Sequence, residues 1–211
     1  MKIWLYGQPF SGKTHFASQF PNAKVISTDG NAEYLFKPEN IIRVKNYQEL
    51  NRAIEDVRKN PPEWLVIDTT GYLLDYLRFY FLDKNKVDYE GDIAYKGYSM
   101  LRSFYWESIT TIANLCDNVI FISHEDTWQV KNKFGREITY FSPTFEEKLK
   151  DKMMGLMTVV ARTVKESNEK NENIYKINIG HIDEELGGTR LPLKATQIDA
   201  TFDAFINNIA K

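Results

Sequence analysis

The chain has 211 residues, 43% hydrophobic and 14% aromatic, and a net charge of −2. That length suits one domain, residues 1–211, with a large core, and the composition excludes a disordered or collagen-like chain. No apolar run approaches the roughly 18 residues of a membrane span, and the charge excludes a globally basic nucleic-acid binder. In chain order, residues 2–6 form a short apolar run ending at Gly7, and residues 14–20 have helical character up to Pro21. Residues 23–28 are a second strand candidate, closed by Asp29-Gly30, and residues 41–44 a weaker third. Residues 47–59 place Leu50, Ala53, Ile54 and Val57 on one helical face, and Pro61-Pro62 ends that helix. Residues 64–67 are apolar on both faces, as in a buried parallel strand. Leu73, Leu77 and Phe81 continue as a helix, residues 85–97 are expected to be a loop, and Leu101, Phe104, Tyr105, Ile109 and Ile112 mark a long amphipathic helix. Residues 119–122 form another all-apolar strand. Residues 125–144 are polar, a long loop or a hairpin. Residues 148–154 are expected to be helical, and residues 158–164 and 174–179 to be strands around the polar turn 168–173. Gly187-Gly188 marks a loop, and Ile198, Phe202, Phe205, Ile206 and Ile209 a terminal helix. Helices between all-apolar strands imply an α/β fold: a mostly parallel sheet with helices on both faces and a C-terminal antiparallel extension.

Targeting and redox signals are few. The first ten residues lack the apolar region of a signal peptide, and the single cysteine, Cys116, fits a reducing compartment. His15, His124 and His181 lie far apart, which argues against structural zinc. The expected location is cytoplasmic, with no membrane partner.

Gly7, Gln8, Pro9, Phe10, Ser11, Gly12, Lys13 and Thr14 match G-x-x-x-x-G-K-[ST] in full, after a strand and before a helix. The two glycines let backbone N–H groups face phosphate oxygens, Lys13 adds charge near the β- and γ-phosphates, and the Thr14 hydroxyl suits Mg²⁺. His15 follows directly and belongs with the nucleotide-binding set. The expected cofactors are ATP and Mg²⁺. Asp68 ends the strand 64–67 and is the expected water-mediated partner of the metal. Asp29 would point towards the γ-phosphate if its strand lies beside the phosphate-loop strand, and could orient the attacking water. Ser123 and His124 end the strand 119–122, where His124 could hydrogen-bond the γ-phosphate and report to the loop beyond. Arg190 and Lys194 follow two glycines, and in an oligomer one could reach a neighbour's ATP. Within residues 125–147, Lys131, Lys133 and Arg136 surround Phe134, with Trp128 and Tyr140 nearby, a pattern suited to single-stranded nucleic acid. The same stretch has a net charge of −2, a basic spot rather than a basic channel.

The segments GQPFSGKT, ISTDGN, WLVIDTT, VIFISHED and GGTRLPLK resemble the phage-type P-loop ATPases related to the RecA recombinase core, from about Lys2 to Ile206. Phage members of that group are described as single-strand annealing or recombination ATPases, or as phage nucleotide-binding proteins. The resemblance implies a RecA-like P-loop NTPase core and an ATPase acting on single-stranded DNA, with ATP at a subunit interface. It matches Asp29 to the catalytic base, a glutamate in RecA, and Asp68 to the metal-side aspartate. It places His124 where RecA-like proteins carry a γ-phosphate-sensing glutamine, and residues 125–144 where RecA has a mobile DNA-binding loop. Arg190 and Lys194 fall near positions that contact a neighbour's ATP. Self-association and a single-strand-binding protein are the implied partners, and the host cytoplasm the implied location of a phage-encoded chain. The chain opens at its first core strand without the tethering arm of RecA, which argues against a filament but not against a ring or transient assembly. Two other readings are open from the residues: a nucleoside or nucleotide kinase, although its eight arginines are scattered, and a low-turnover nucleotide-dependent interaction module.

Overall fold

The structure is a computed structural model and describes residues 1–209 except 89, 94 and 132. Six strands run parallel at its centre: β1 (Lys2–Gly7), β2 (Ala23–Ser27), β3 (Ile41–Arg43), β4 (Trp64–Asp68), the first part of β5 (Val119–Lys131) and β7 (Val159–Ser167). Their order across the sheet is β7-β1-β5-β4-β2-β3. The outer half of β5 pairs antiparallel with β6 (Glu137–Pro143). Beyond β7 the sheet continues antiparallel through β8 (Asn173–Asn178) to β10 (Gln197–Asp199), and β9 (Gly188–Thr189) also pairs with β7.

The central strands are apolar throughout because alternate side chains enter two separate cores. Trp4, Tyr6, Leu65, Ile67 and Phe121 enter one, with α2 (Tyr47–Lys59), α3 (Thr70–Lys84), α4 (Tyr95–Ala113) and α5 (Glu147–Leu156) packed over it. Ile3, Leu5, Val66 and Ile120 enter the other, covered by α1 (Lys13–Ser18) and α6 (Phe202–Asn208). On α2 the expected face is the buried one: Leu50, Ala53, Ile54 and Val57. Its start is set by Asn46, whose side chain accepts the Glu49 amide at 2.9 Å, while the Glu49 carboxylate accepts the Lys45 amide. Each such leucine or isoleucine removed from water contributes about 2 kcal/mol, so this face rather than helix propensity holds α2 in place. The opposite core is a cluster of rings, in which Phe20 meets Trp64, Phe16 and Phe202 edge-on at 4.5–5.0 Å.

The α/β class, the parallel core and the C-terminal antiparallel extension are as expected. Three local expectations differ. β5 does not stop at Ile122 but continues to Lys131, because beyond the parallel sheet its partner is a two-stranded ribbon with wet faces, where polar residues suit a strand. The segment 85–97 is not all loop: a 3-10 turn covers Glu90–Asp92 and α4 begins at Tyr95, while residues 89 and 94 lie outside the described residues. Ile198 belongs to β10, opposite Ile177, rather than to the terminal helix. No described helix is long and apolar enough to cross a membrane.

Candidate functional site

The carboxyl ends of the parallel strands form one edge, where β1 delivers the phosphate loop. Gly7 leaves no room for a side chain: a Cβ there would lie 2.4 Å from Thr163 Oγ1 and 2.7 Å from Ser11 Oγ. Thr163 comes from β7, alongside Gly7, and its hydroxyl meets the Ser11 hydroxyl at 2.6 Å. Gly12, with φ +89°, turns the chain into α1, and the Gly12 carbonyl accepts the Phe16 amide at 2.8 Å. Between them Gln8, Pro9 and Phe10 stand in solvent, Phe10 at 89% exposure and with φ +64°. His15 is exposed on α1, its Nδ1 3.3 Å from Gln19 Nε2.

Lys13 folds back into the loop, donating to the Gly7 carbonyl at 2.8 Å and the Gln8 carbonyl at 2.7 Å. Burial pushes its ammonium down to about 8, against the opposing pull of Asp68, Glu125 and Asp29. These carbonyls hold the place that phosphate oxygens would take in a filled loop. Thr14 donates its hydroxyl to Asp68 Oδ2 at 2.7 Å, joining the loop to β4 across the intervening β5. Asp68 is 2% exposed. Burial raises its carboxyl to about 6, more than the Thr14 hydrogen bond and the Lys13 charge offset. A carboxylate this short of compensating charge, touching a hydroxyl at the loop, fits a hard divalent cation. Thr14 and Asp68 would hold it, with phosphate oxygens and water as the remaining ligands; among the described residues no cluster of three acidic, histidine or cysteine side chains forms a self-sufficient metal site.

His124 stands on β5 directly opposite Gly7 in the parallel register. Its imidazole is lowered from the usual range, first by burial and then by the Lys13 charge. Asp29 is not beside the phosphate-loop strand: β5 and β4 separate β2 from β1. It still faces the same edge, where its charge is felt by Lys13, Asp68 and His124. Its carboxylate accepts the Asn31 amide and the Asn31 side-chain amide, both at 3.0 Å. Thr28, just before it, ties β2 to β4, since its hydroxyl donates to the Thr69 carbonyl and accepts the Thr69 amide.

Arg190 is not brought to this edge. Its guanidinium donates to the carbonyls of Met157 at 3.0 Å and Gly155 at 2.7 Å, where β7 begins, at the opposite end of the sheet. Lys194 donates to the Asn207 carbonyl. Residues 125–144 form the β5–β6 hairpin. Trp128 and Tyr140 stack across it at 5.6 Å, and Lys131 lies 3.9 Å from Glu137. At the turn, Lys133 sits over the Phe134 ring, and Phe134 and Arg136 are exposed.

A further group escaped the sequence reading. Arg162, in the apolar strand β7, pairs bidentately with Glu125 at 2.6 and 3.1 Å and with Glu185 at 2.6 Å, and lies 3.6 Å over the Phe141 ring. This cluster clamps the base of the hairpin to the sheet. A charged residue inside the run VVARTV was the one signal for it.

A glycine-rich strand-to-helix loop, a lysine in its mouth and a threonine–aspartate pair at the carboxyl edge define a P-loop NTPase. A family model described as an AAA domain matches residues 1–190, and the chain belongs to that family of ATP-binding and ATP-hydrolysing domains. No curated protein matches in sequence. Among solved structures the chain is similar to a KaiC-like protein from Pyrococcus horikoshii OT3, at 15% identity and TM-score 0.49, over 90% of this chain and 82% of that one. It is similar to the flagellar accessory protein FlaH from Methanocaldococcus jannaschii, at 10% identity and TM-score 0.42, over 93% and 83%. It is also similar to an ATPase of the type III secretion system of pathogenic bacteria, at 11% identity and TM-score 0.43, over 80% and 52%.

Proposed function

We propose that this AAA-type ATPase acts on single-stranded DNA in phage recombination or replication, as an annealing or strand-exchange protein that self-associates with ATP between subunits. The observation that carries the reading is the path of β5. One unbroken strand passes from the rung beside Gly7, at His124, into an exposed hairpin bearing Trp128, Lys131, Lys133, Phe134 and Arg136. Aromatic faces can stack on unpaired bases, and the three cations can meet phosphates. Mg²⁺, where bound, would supply neutralisation of the charge that develops on the phosphates. Thr14 and Asp68 would hold it, and Lys13 would turn from the loop carbonyls to the phosphates. Asp29, two strands further from the loop than adjacency would put it but at the same edge, would orient the attacking water, and His124 would hydrogen-bond the γ-phosphate. Arg190, far from its own phosphate loop, or Lys194 could reach a neighbour's ATP, Arg190 by giving up its contacts to Met157 and Gly155.

The test is ATP hydrolysis with and without single-stranded DNA, for the native chain and Lys13→Ala. The expected result is a rate raised by DNA and reduced about a hundredfold or more by Lys13→Ala. Hydrolysis indifferent to DNA, with no DNA bound in the presence of ATP, would overturn the DNA role and leave the ATPase.

A further inference from the structure

The positions of the carboxyl-edge residues set the direction in which a nucleotide must lie. Thr14 and Asp68 would hold a divalent cation, which belongs with the γ-phosphate end of a bound polyphosphate. Asp68 is on β4, and His124 is on the intervening β5, both to one side of β1. The γ-phosphate end therefore points towards β5 and β4. The α-phosphate and nucleoside must leave the loop on the other side, over β7 and β8.

That side carries a ring in the right place. In the β7–β8 pairing, Thr163 stands opposite Ile177, and Lys165 opposite Tyr175. Directly opposed residues share a face, and so do residues two apart, so all four lie on the α1 side of the sheet. Ile177 is buried in the core that contains Phe16 and Ala17 of α1, and Thr163 reaches Ser11 of the loop. β8 runs against β7, so Tyr175 is one rung nearer the carboxyl edge than Ile177, level with the start of α1. Its ring lies against Gly12: a Cβ on that glycine would be 3.0 Å from Tyr175 Cδ1 and 3.4 Å from Cγ. Tyr175 remains 37% exposed, so part of its ring is open to solvent beside the loop. We infer that Tyr175 is the platform on which the nucleoside base of the bound nucleotide stacks. The ligand it takes is a planar purine or pyrimidine attached to a polyphosphate in the loop. The inference rests on the ATP-binding reading and adds the recognition of the base.

Binding of ADP and of inorganic tripolyphosphate, measured by calorimetry on the full chain, separates base from phosphate. The variants are Tyr175→Phe, which keeps the ring, Tyr175→Leu, which keeps bulk against Gly12, and Tyr175→Ala. The expected result is an ADP affinity about tenfold or more weaker in Tyr175→Leu and Tyr175→Ala, the scale of base–aromatic stacking. Tripolyphosphate affinity should stay within about twofold of the native value, and Tyr175→Phe should match the native chain for both ligands. Equal losses for ADP and tripolyphosphate would show that the ring only shapes the loop, and would overturn the inference. Unchanged ADP affinity in Tyr175→Leu would overturn it as well. A native chain that binds neither ligand would sink the phosphate-loop reading beneath it, an outcome separate from the other two.

Discussion

Lys13 and Asp68 are each buried against the grain of their own ionisation, one pushed down to about 8 and the other up to about 6. Phosphate binding needs the ammonium, so nucleotide affinity should weaken as pH rises above about 8, by at most tenfold per unit. Metal binding needs the carboxylate, so the Mg²⁺-dependent part of the affinity should fade below about pH 6. ADP titrations from pH 5 to 10, with and without Mg²⁺, check both limbs; a flat profile would contradict them. The same aspartate weighs on the empty protein. Its folded-state pKa lies above the ordinary 3.8, so the folded chain holds the proton more tightly than the unfolded one. Stability is therefore lost as pH rises from about 4 through about 6, on the order of 3 kcal/mol for a shift of this size. Asp68→Asn removes that cost and still accepts from Thr14. It should raise the melting temperature of the ligand-free chain by several degrees while abolishing the Mg²⁺ effect on ADP binding. Thermal unfolding at pH 7, with no rise in Asp68→Asn, would count against a charge-starved carboxylate.

The base of the β5–β6 hairpin depends on one guanidinium shared by two buried carboxylates. Glu185 Oε1 accepts from Arg162 and Asn178, whereas Oε2 is buried without a hydrogen-bond partner. Removing the cation strands both acids, so Arg162→Met should cost about 3–5 kcal/mol in denaturant unfolding. Glu185→Gln removes the surplus negative charge and keeps an acceptor, so it should be neutral or stabilising by about 1 kcal/mol. A loss as large as that of Arg162→Met would refute this account. Elements of this kind show where the sequence was legible and where it was not. The all-apolar strands ending in Gly7, Asp68 and His124, with amphipathic helices between them, were readable because each strand is buried on both faces and has a single solution. The phosphate loop and Thr14–Asp68 were readable for the same reason, since motif and strand end carry the chemistry together. The extension of β5 was not, because a ribbon exposed on both faces has no apolar pattern to read. The clamp at Arg162 and the ring of Tyr175 depend on which strands are neighbours. So does the separation of β2 from β1, which moved Asp29 two strands away from where adjacency would have put it.

Taken whole, the molecule gathers its chemistry along one edge and extends from it the β5–β6 hairpin, with the basic spot of Lys131, Lys133 and Arg136. On the proposed DNA role, the phosphate contacts fall to Lys131, Lys133 and Arg136 of the hairpin. With three such contacts, the logarithm of the binding constant should fall against the logarithm of salt with a slope of about −2 per bound chain. Replacing all three by alanine should flatten that slope, and fluorescence anisotropy over a salt series measures it. A steep slope retained in the triple variant would place the contact elsewhere. The unbroken path of β5 has a mechanical side too. From the His124 rung to Lys131 is seven residues, an arm of about 23 Å at strand rise. The strand has neighbours on both sides only up to Ile122, and beyond His124 the Arg162 clamp ties Glu125 and Phe141 to the sheet, so a tilt passes into the arm through that clamp. Each degree of tilt at the His124 rung would displace the arm's end by about 0.4 Å, so ten degrees would carry it about 4 Å. That is more than the rise between successive residues of a strand.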